Sequence, residues 1–157
     1  MSVEKKLFVE TNNGTNRQIR PVTPEQPLRI GDKVIVRLTI RTDREMNYVF
    51  LKDLRAGCFE PADQLSSPES RDGIWYYRSP KDVSENFFIN RLPEGTFVLE
   101  YPVYVSRSGE YAGGISTIQC MYAPGIRVAH RRRKLADHAL NKPFLTMPVL
   151  TSLQCPV

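Results

Sequence analysis

Residues able to do covalent or metal chemistry are scarce in this chain, and they are placed apart. Both histidines, His130 and His138, lie beyond residue 129, so the preceding body has no imidazole. A serine or cysteine nucleophile needs a base beside it, and a Ser-His-Asp or Cys-His set would have to borrow from the C-terminal segment. Cys58, Cys120 and Cys155 contain no Cys-x-x-Cys pair. That is too few ligands at the wrong spacing for a structural zinc site, so neither metal nor cofactor is expected. Glu60 and Asp63 are near enough in sequence to pair as general acid and base, but a solvated loop accounts for them better. Gly113-Gly114 opens onto a strand rather than a helix, which fits a bulge or a close backbone approach and not a phosphate loop. The residue inventory argues against an enzyme. Cys58 and Cys120 could be oxidised together in an oxidising compartment, but two buried free thiols are the expectation.

Charge gives a second candidate chemistry. The chain has a net charge of +5. Acidic and basic residues balance up to residue 124, and beyond it Arg127, Arg131, Arg132, Arg133, Lys134 and Lys142 face Asp137 alone. The run Arg131–Lys134 has no interleaved aromatics and reads as a solvated tail, so no nucleic-acid partner is expected. Trp75, Tyr76 and Tyr77 are consecutive aromatics that could form a stacking platform for sugar or peptide, although core packing is the default for such residues in a strand.

The elements that must carry these residues are strands. Val34, Val36, Leu38 and Ile40 alternate with Arg37, Thr39 and Arg41, the pattern of a half-buried strand. Tyr48–Asp53 is a second strand, and the polar residues 42–45 between them suggest a hairpin. Trp75–Arg78 and Phe87–Asn90 are short aromatic and β-branched runs. Leu92-Pro93-Glu94-Gly95 has the residues of a type I turn. It leads into Phe97–Val105, where Phe97, Leu99, Tyr101, Val103 and Val105 face the core, Glu100 faces water, and Pro102 marks an edge or a bulge. Ile115–Tyr122 is the last clear run, and strand pairing is expected to end at Ala123-Pro124, because proline has no amide donor. At the front, Lys6–Glu10 and Gln18–Pro21 flank Asn13-Gly14, a strong hairpin signal. Residues 62–72 read as a Ser/Pro/Glu loop.

Together these patterns predict an all-β, Ig-like antiparallel β-sandwich of about seven to nine strands over residues 1–128. Residues 129–157 read as a basic, proline-containing, poorly ordered tail, with a short helix possible over Arg131–Leu140 and Pro143, Pro148 and Pro156 opposing order beyond it. No apolar run is long enough to span a bilayer, and Met1–Lys6 lacks the apolar region of a signal peptide.

Six separated stretches keep the order of one family. They are Gly31-Asp32-Lys33-Val34, Tyr48–Asp53 with Cys58-Phe59-Glu60-Pro61, Tyr76-Tyr77-Arg78, Arg91–Thr96, Gly113-Gly114-Ile115, and Gln119-Cys120-Met121-Tyr122-Ala123-Pro124. Over residues 5–124 the chain resembles the C-terminal macroglobulin-type domain of bacterial alpha-2-macroglobulins. The resemblance implies a macroglobulin-like sandwich in a periplasmic or cell-envelope protease trap, where a bait segment is cut and an internal thioester in a separate helical domain captures the protease. This sequence holds neither the thioester motif nor that domain. The implied partner is therefore an intramolecular thioester domain, with target proteases engaged only indirectly and no direct membrane contact. Met121-Tyr122 matches the family's Met-Tyr pair that shields the thioester from water, and the role carries over to those two residues as an expectation. After Pro124 the sequence departs from the family pattern. Either residues 126–128 are the last strand, reached by a shortened link, or the normal ending is replaced. A free-standing adhesion or carbohydrate-binding module, with Trp75–Tyr77 as platform, is the competing reading.

Overall fold

The computed structural model describes residues 1–129 except 14, 15, 24–27 and 110. The expectations for the basic run and the tail lie outside the described residues. Eleven strands occur among those described: β1 (Ser2–Asn13), β2 (Asn16–Pro21), β3 (Lys33–Thr42), β4 (Met46–Leu54), β5 (Phe59–Pro61), β6 (Ser67–Arg71), β7 (Ile74–Pro80), β8 (Ser84–Leu92), β9 (Gly95–Val105), β10 (Ser116–Cys120) and β11 (Ala123–Ala129). They form a five-stranded sheet in the order β2-β1-β3-β9-β5 and a six-stranded sheet in the order β11-β10-β4-β8-β7-β6. All pairings are antiparallel. The architecture is the all-β, Ig-like sandwich that the alternation predicts, with more strands than expected.

Alternation fixes the core. Val34, Val36, Leu38 and Ile40 on β3 and Leu99, Tyr101 and Val103 on β9 are all buried, and the two strands pair with Leu38 opposite Leu99. From the second sheet they meet Val49, Leu51, Ile74, Phe87, Ile89 and Ile118. A one-residue slip of β3 or β9 would turn its whole apolar set outward, which pins the register. Pro102 faces the sparsely paired side of β9, where β5 covers only residues 103–105 of it, so no ladder donor is missed.

Three expectations about connectivity are corrected. Val34–Arg41 and Tyr48–Asp53 do not form a hairpin: β3 and β4 belong to different sheets, and the polar residues between them carry the chain across the sandwich. The stretch 62–72 is not all loop. Its second half is β6, turned into β7 by Asp72 and Gly73 at φ 52° and 81°, with Arg71 opposite Ile74. This is the two-residue Asp-Gly hairpin whose left-handed positions those residues tolerate. Nor does pairing end at Pro124. It is interrupted at residues 124–126, where the β10–β11 register shifts, and resumes with Arg127 opposite Gln119. A bulge tolerates proline because it asks for no ladder donor, and residues 126–128 thus lie in the final strand.

Glu100 is not simply solvated. It accepts from Arg37 Nε at 2.6 Å and from Arg71 Nη2 at 2.8 Å, tying β9 to its neighbour and to the other sheet. Burial pushes its carboxyl up, but the hydrogen bonds from Arg71 and Arg37 outweigh this and hold it below the ordinary 4.5. A depressed folded pKa stabilises above the unfolded value and is lost as pH falls through the folded one. Glu100→Gln should therefore flatten the fall in urea midpoint on acidification below about pH 4.5. An unchanged acid limb would refute the assignment.

Candidate functional site

The β10–β11 hairpin builds the candidate site. Cys120 pairs with Ala123, so Met121 and Tyr122 are its two-residue tip. Both stand out from the sandwich, Met121 57% and Tyr122 79% exposed. Strand β4 holds the tip from beside it. The Met121 amide donates to the Tyr48 carbonyl at 2.9 Å, and the Cys120 thiol donates to the Asn47 carbonyl at 3.2 Å. The Tyr48 and Tyr122 rings meet edge-on, 5.0 Å between centroids and 80° between planes. An exposed thioether beside two aromatic rings offers an apolar cap with phenolic tips, able to exclude water from a partner pressed against it.

Trp75, Tyr76 and Tyr77 are divided by the strand period. Tyr76 points inward, 5.8 Å from the Phe87 ring, and donates its hydroxyl to Glu69 at 2.9 Å. Burial, with Glu69 adding to it, pushes that hydroxyl up to about 12. Trp75 and Tyr77 are exposed on the outer face. There Tyr77 lines up with Phe88, and Phe88 with Phe50, whose rings stack at 4.9 Å. The register continues from Pro68 opposite Tyr77 to Gln119 opposite Phe50 and Arg127 opposite Gln119, so one row crosses all six strands. Tyr48, Phe50 and Phe88 are thus surface aromatics not singled out from the sequence. Their position between the inward Val49, Leu51, Phe87 and Ile89 was the available signal.

Cys58 and Cys120, the two cysteines among the described residues, are free. Cys58 is buried, and burial pushes its thiol up, which leaves it inert. Cys120 is only half-buried, which corrects the expectation of two buried thiols: it sits at the end of β10, beside the exposed tip. Gly114 makes the close backbone approach expected of it, since a Cβ there would lie 1.5 Å from the Leu54 carbonyl oxygen. Asp63 approaches Arg78 at 3.4 Å, and Glu60 is exposed.

The bacterial alpha-2-macroglobulin MG10 domain family matches residues 1–125. This chain belongs to that family. The MG10 match includes Met121 and Tyr122 and stops inside the bulge of β11. Among solved structures, Salmonella alpha-2-macroglobulin reacted with methylamine is similar, with a TM-score of 0.64 and 19% identity over 85% of this chain. A curated relative, circularly permutated Ras protein 2 of Dictyostelium discoideum, is 27% identical over 97 residues, 62% of this chain. This chain covers 9% of the Salmonella chain and 2% of the Dictyostelium protein, a small part of the length of each.

Proposed function

We propose that this chain is the non-catalytic C-terminal domain of a bacterial alpha-2-macroglobulin-like protease inhibitor, packing against the thioester domain and shielding its thioester. The observation that carries the reading is the exposed Met121–Tyr122 tip, presented by a hairpin and fixed from β4. A thioester survives only where water and amines are kept from its acyl carbon. An attacking amine forms an amide there and expels the cysteine sulfur as thiolate, spending the trap. An apolar pair seated over the bond delays this without doing chemistry itself. On this reading the full-length protein works in the periplasm or cell envelope, and the domain uses neither cofactor nor nucleic acid.

In the full-length inhibitor, Met121→Ala/Tyr122→Ala should speed methylamine consumption of the thioester at least about 10-fold, about 1.4 kcal/mol in the barrier. The same change should cost the 157-residue chain under about 1 kcal/mol in urea unfolding, because both side chains are exposed. An unchanged thioester lifetime refutes the shielding role.

The outer row of Tyr77, Phe88 and Phe50 beside Trp75 favours a second reading, a free-standing carbohydrate-binding or adhesion module. Quenching of Trp75 fluorescence by soluble oligosaccharides would support it, and none across a panel would remove it.

A further inference from the structure

Tyr48 has φ 54°, and among the described non-glycine residues only Asp72 shares a positive φ. Asp72 occupies a hairpin turn, where the conformation is ordinary. Tyr48 lies inside β4, where it is an outlier for a bulky side chain. Such a conformation persists only where its surroundings impose it, and it directs attention to what it accomplishes. Here the β4–β8 ladder pairs Asn47 with Arg91 and Val49 with Ile89 and skips Tyr48. The Tyr48 carbonyl is spent instead on the Met121 amide, its ring on Tyr122, and the preceding carbonyl on the Cys120 thiol.

We propose that Tyr48 is the positioning residue of the Met121–Tyr122 tip. Its left-handed backbone offers the carbonyl that anchors Met121, and its ring sets the direction in which Tyr122 projects. The inference deepens the shielding reading and takes its functional meaning from it, but the geometry can be tested without a thioester.

Three variants of the 157-residue chain separate backbone from ring. Tyr48→Gly accepts the positive φ freely and lacks the ring. Tyr48→Val is β-branched and strongly opposed to that φ. Tyr48→Phe keeps both features. In Tyr48→Val the Met121 amide should exchange with deuterium at least about 10-fold faster, while Leu51 in the same strand exchanges as before. In Tyr48→Gly that amide should stay within about 3-fold of wild type, while the Tyr122 ring resonances lose the ring-current shift from Tyr48. Tyr48→Phe should match wild type in both. Unchanged Met121 exchange in the valine variant, or unchanged Tyr122 resonances in the glycine variant, overturns the proposal; if the valine variant does not fold, the glycine and phenylalanine variants decide it. In the full-length inhibitor, a thioester lifetime shortened by Met121→Ala/Tyr122→Ala but not by Tyr48→Gly would refute positioning and leave shielding intact. A lifetime unaffected by the double substitution would refute shielding while the exchange and ring-current results still decide what Tyr48 does.

Discussion

Glu85→Ala is expected to destabilise the 157-residue chain by about 3–5 kcal/mol, the usual consequence of removing one partner of a buried ion pair. Glu85 is fully buried and lies directly across the β4–β8 ladder from Asp53, another fully buried carboxylate. Like charges so placed repel, and cations from three strands or their ends compensate them. Lys5 Nζ reaches Asp53 at 2.9 Å, with further hydrogen bonds to Asp53 from the Ser116 hydroxyl at 2.6 Å and from the Tyr101 hydroxyl. Arg55 Nη1 and Arg78 Nε bind the two Glu85 oxygens at 2.8 and 2.6 Å. Arg78 also approaches Asp63 and Glu69, whereas among the described residues Arg55 Nε and Nη2, like Arg78 Nη2, have no acceptor. Removing Glu85 leaves the Arg55 charge buried and uncompensated. Its cost is therefore expected to fall when Arg55→Met is added, with a coupling of about 1–3 kcal/mol. Strictly additive losses in urea unfolding would show that the network contributes only packing.

The same cluster marks where the sequence stops being legible. Alternation assigns faces, and it does so correctly for β3 and β9, whose apolar sets are unbroken. On three other strands the inward set ends in a charge: Val49, Leu51, Asp53; Ile74, Tyr76, Arg78; and Ile89, Phe87, Glu85. A charge at the end of an apolar series reads locally as the strand emerging into water. The local β7–β8 hairpin gives Glu85 its Arg78 partner, but the burial of both beside Asp53 depends on the pairing of β4 with β8, which is nonlocal. The β3-to-β4 crossing fails for the same reason, because a polar link of four residues suits either a hairpin or a step to the opposite sheet. The candidate site was legible only by resemblance. Met-Tyr carries no turn signal, and neither Met121 nor Tyr122 has positive φ. The bulge at residues 124–126, rather than a left-handed turn residue, lets this hairpin close. Tyr48 was hidden because a tyrosine in a strand is ordinary until its φ is known.

Gly114→Ala is the other change with a large expected effect, about 3 kcal/mol or more, at or beyond the upper end of overpacking costs because the clash is with backbone. The alanine Cβ would fall 1.5 Å from the Leu54 oxygen, 2.3 Å from the Leu54 carbonyl carbon and 3.1 Å from the Arg55 nitrogen. None of these atoms can swing away as the end of a flexible side chain would. The Leu54 amide donates to the Ile115 carbonyl at 3.0 Å, and Ser116 pairs with Asp53 immediately after it. Relief therefore requires the start of β10 to part from the end of β4, lengthening the Ser116–Asp53 bond and loosening the buried carboxylate it helps satisfy. Amide exchange should locate the damage. Amides of β10 and of residues 53–55 should lose protection together, while the β3–β9 ladder in the other sheet keeps its order of protection. Through β10 the disturbance reaches Cys120 and the Met121–Tyr122 tip, so the variant should also weaken the Met121 amide bond to Tyr48. Gly57→Ala is the control: its Cβ would meet only the Tyr111 ring, at 3.3 Å, and that side chain can yield. A Gly114→Ala chain as stable as this control would mean that β10 does not approach β4 as closely as described.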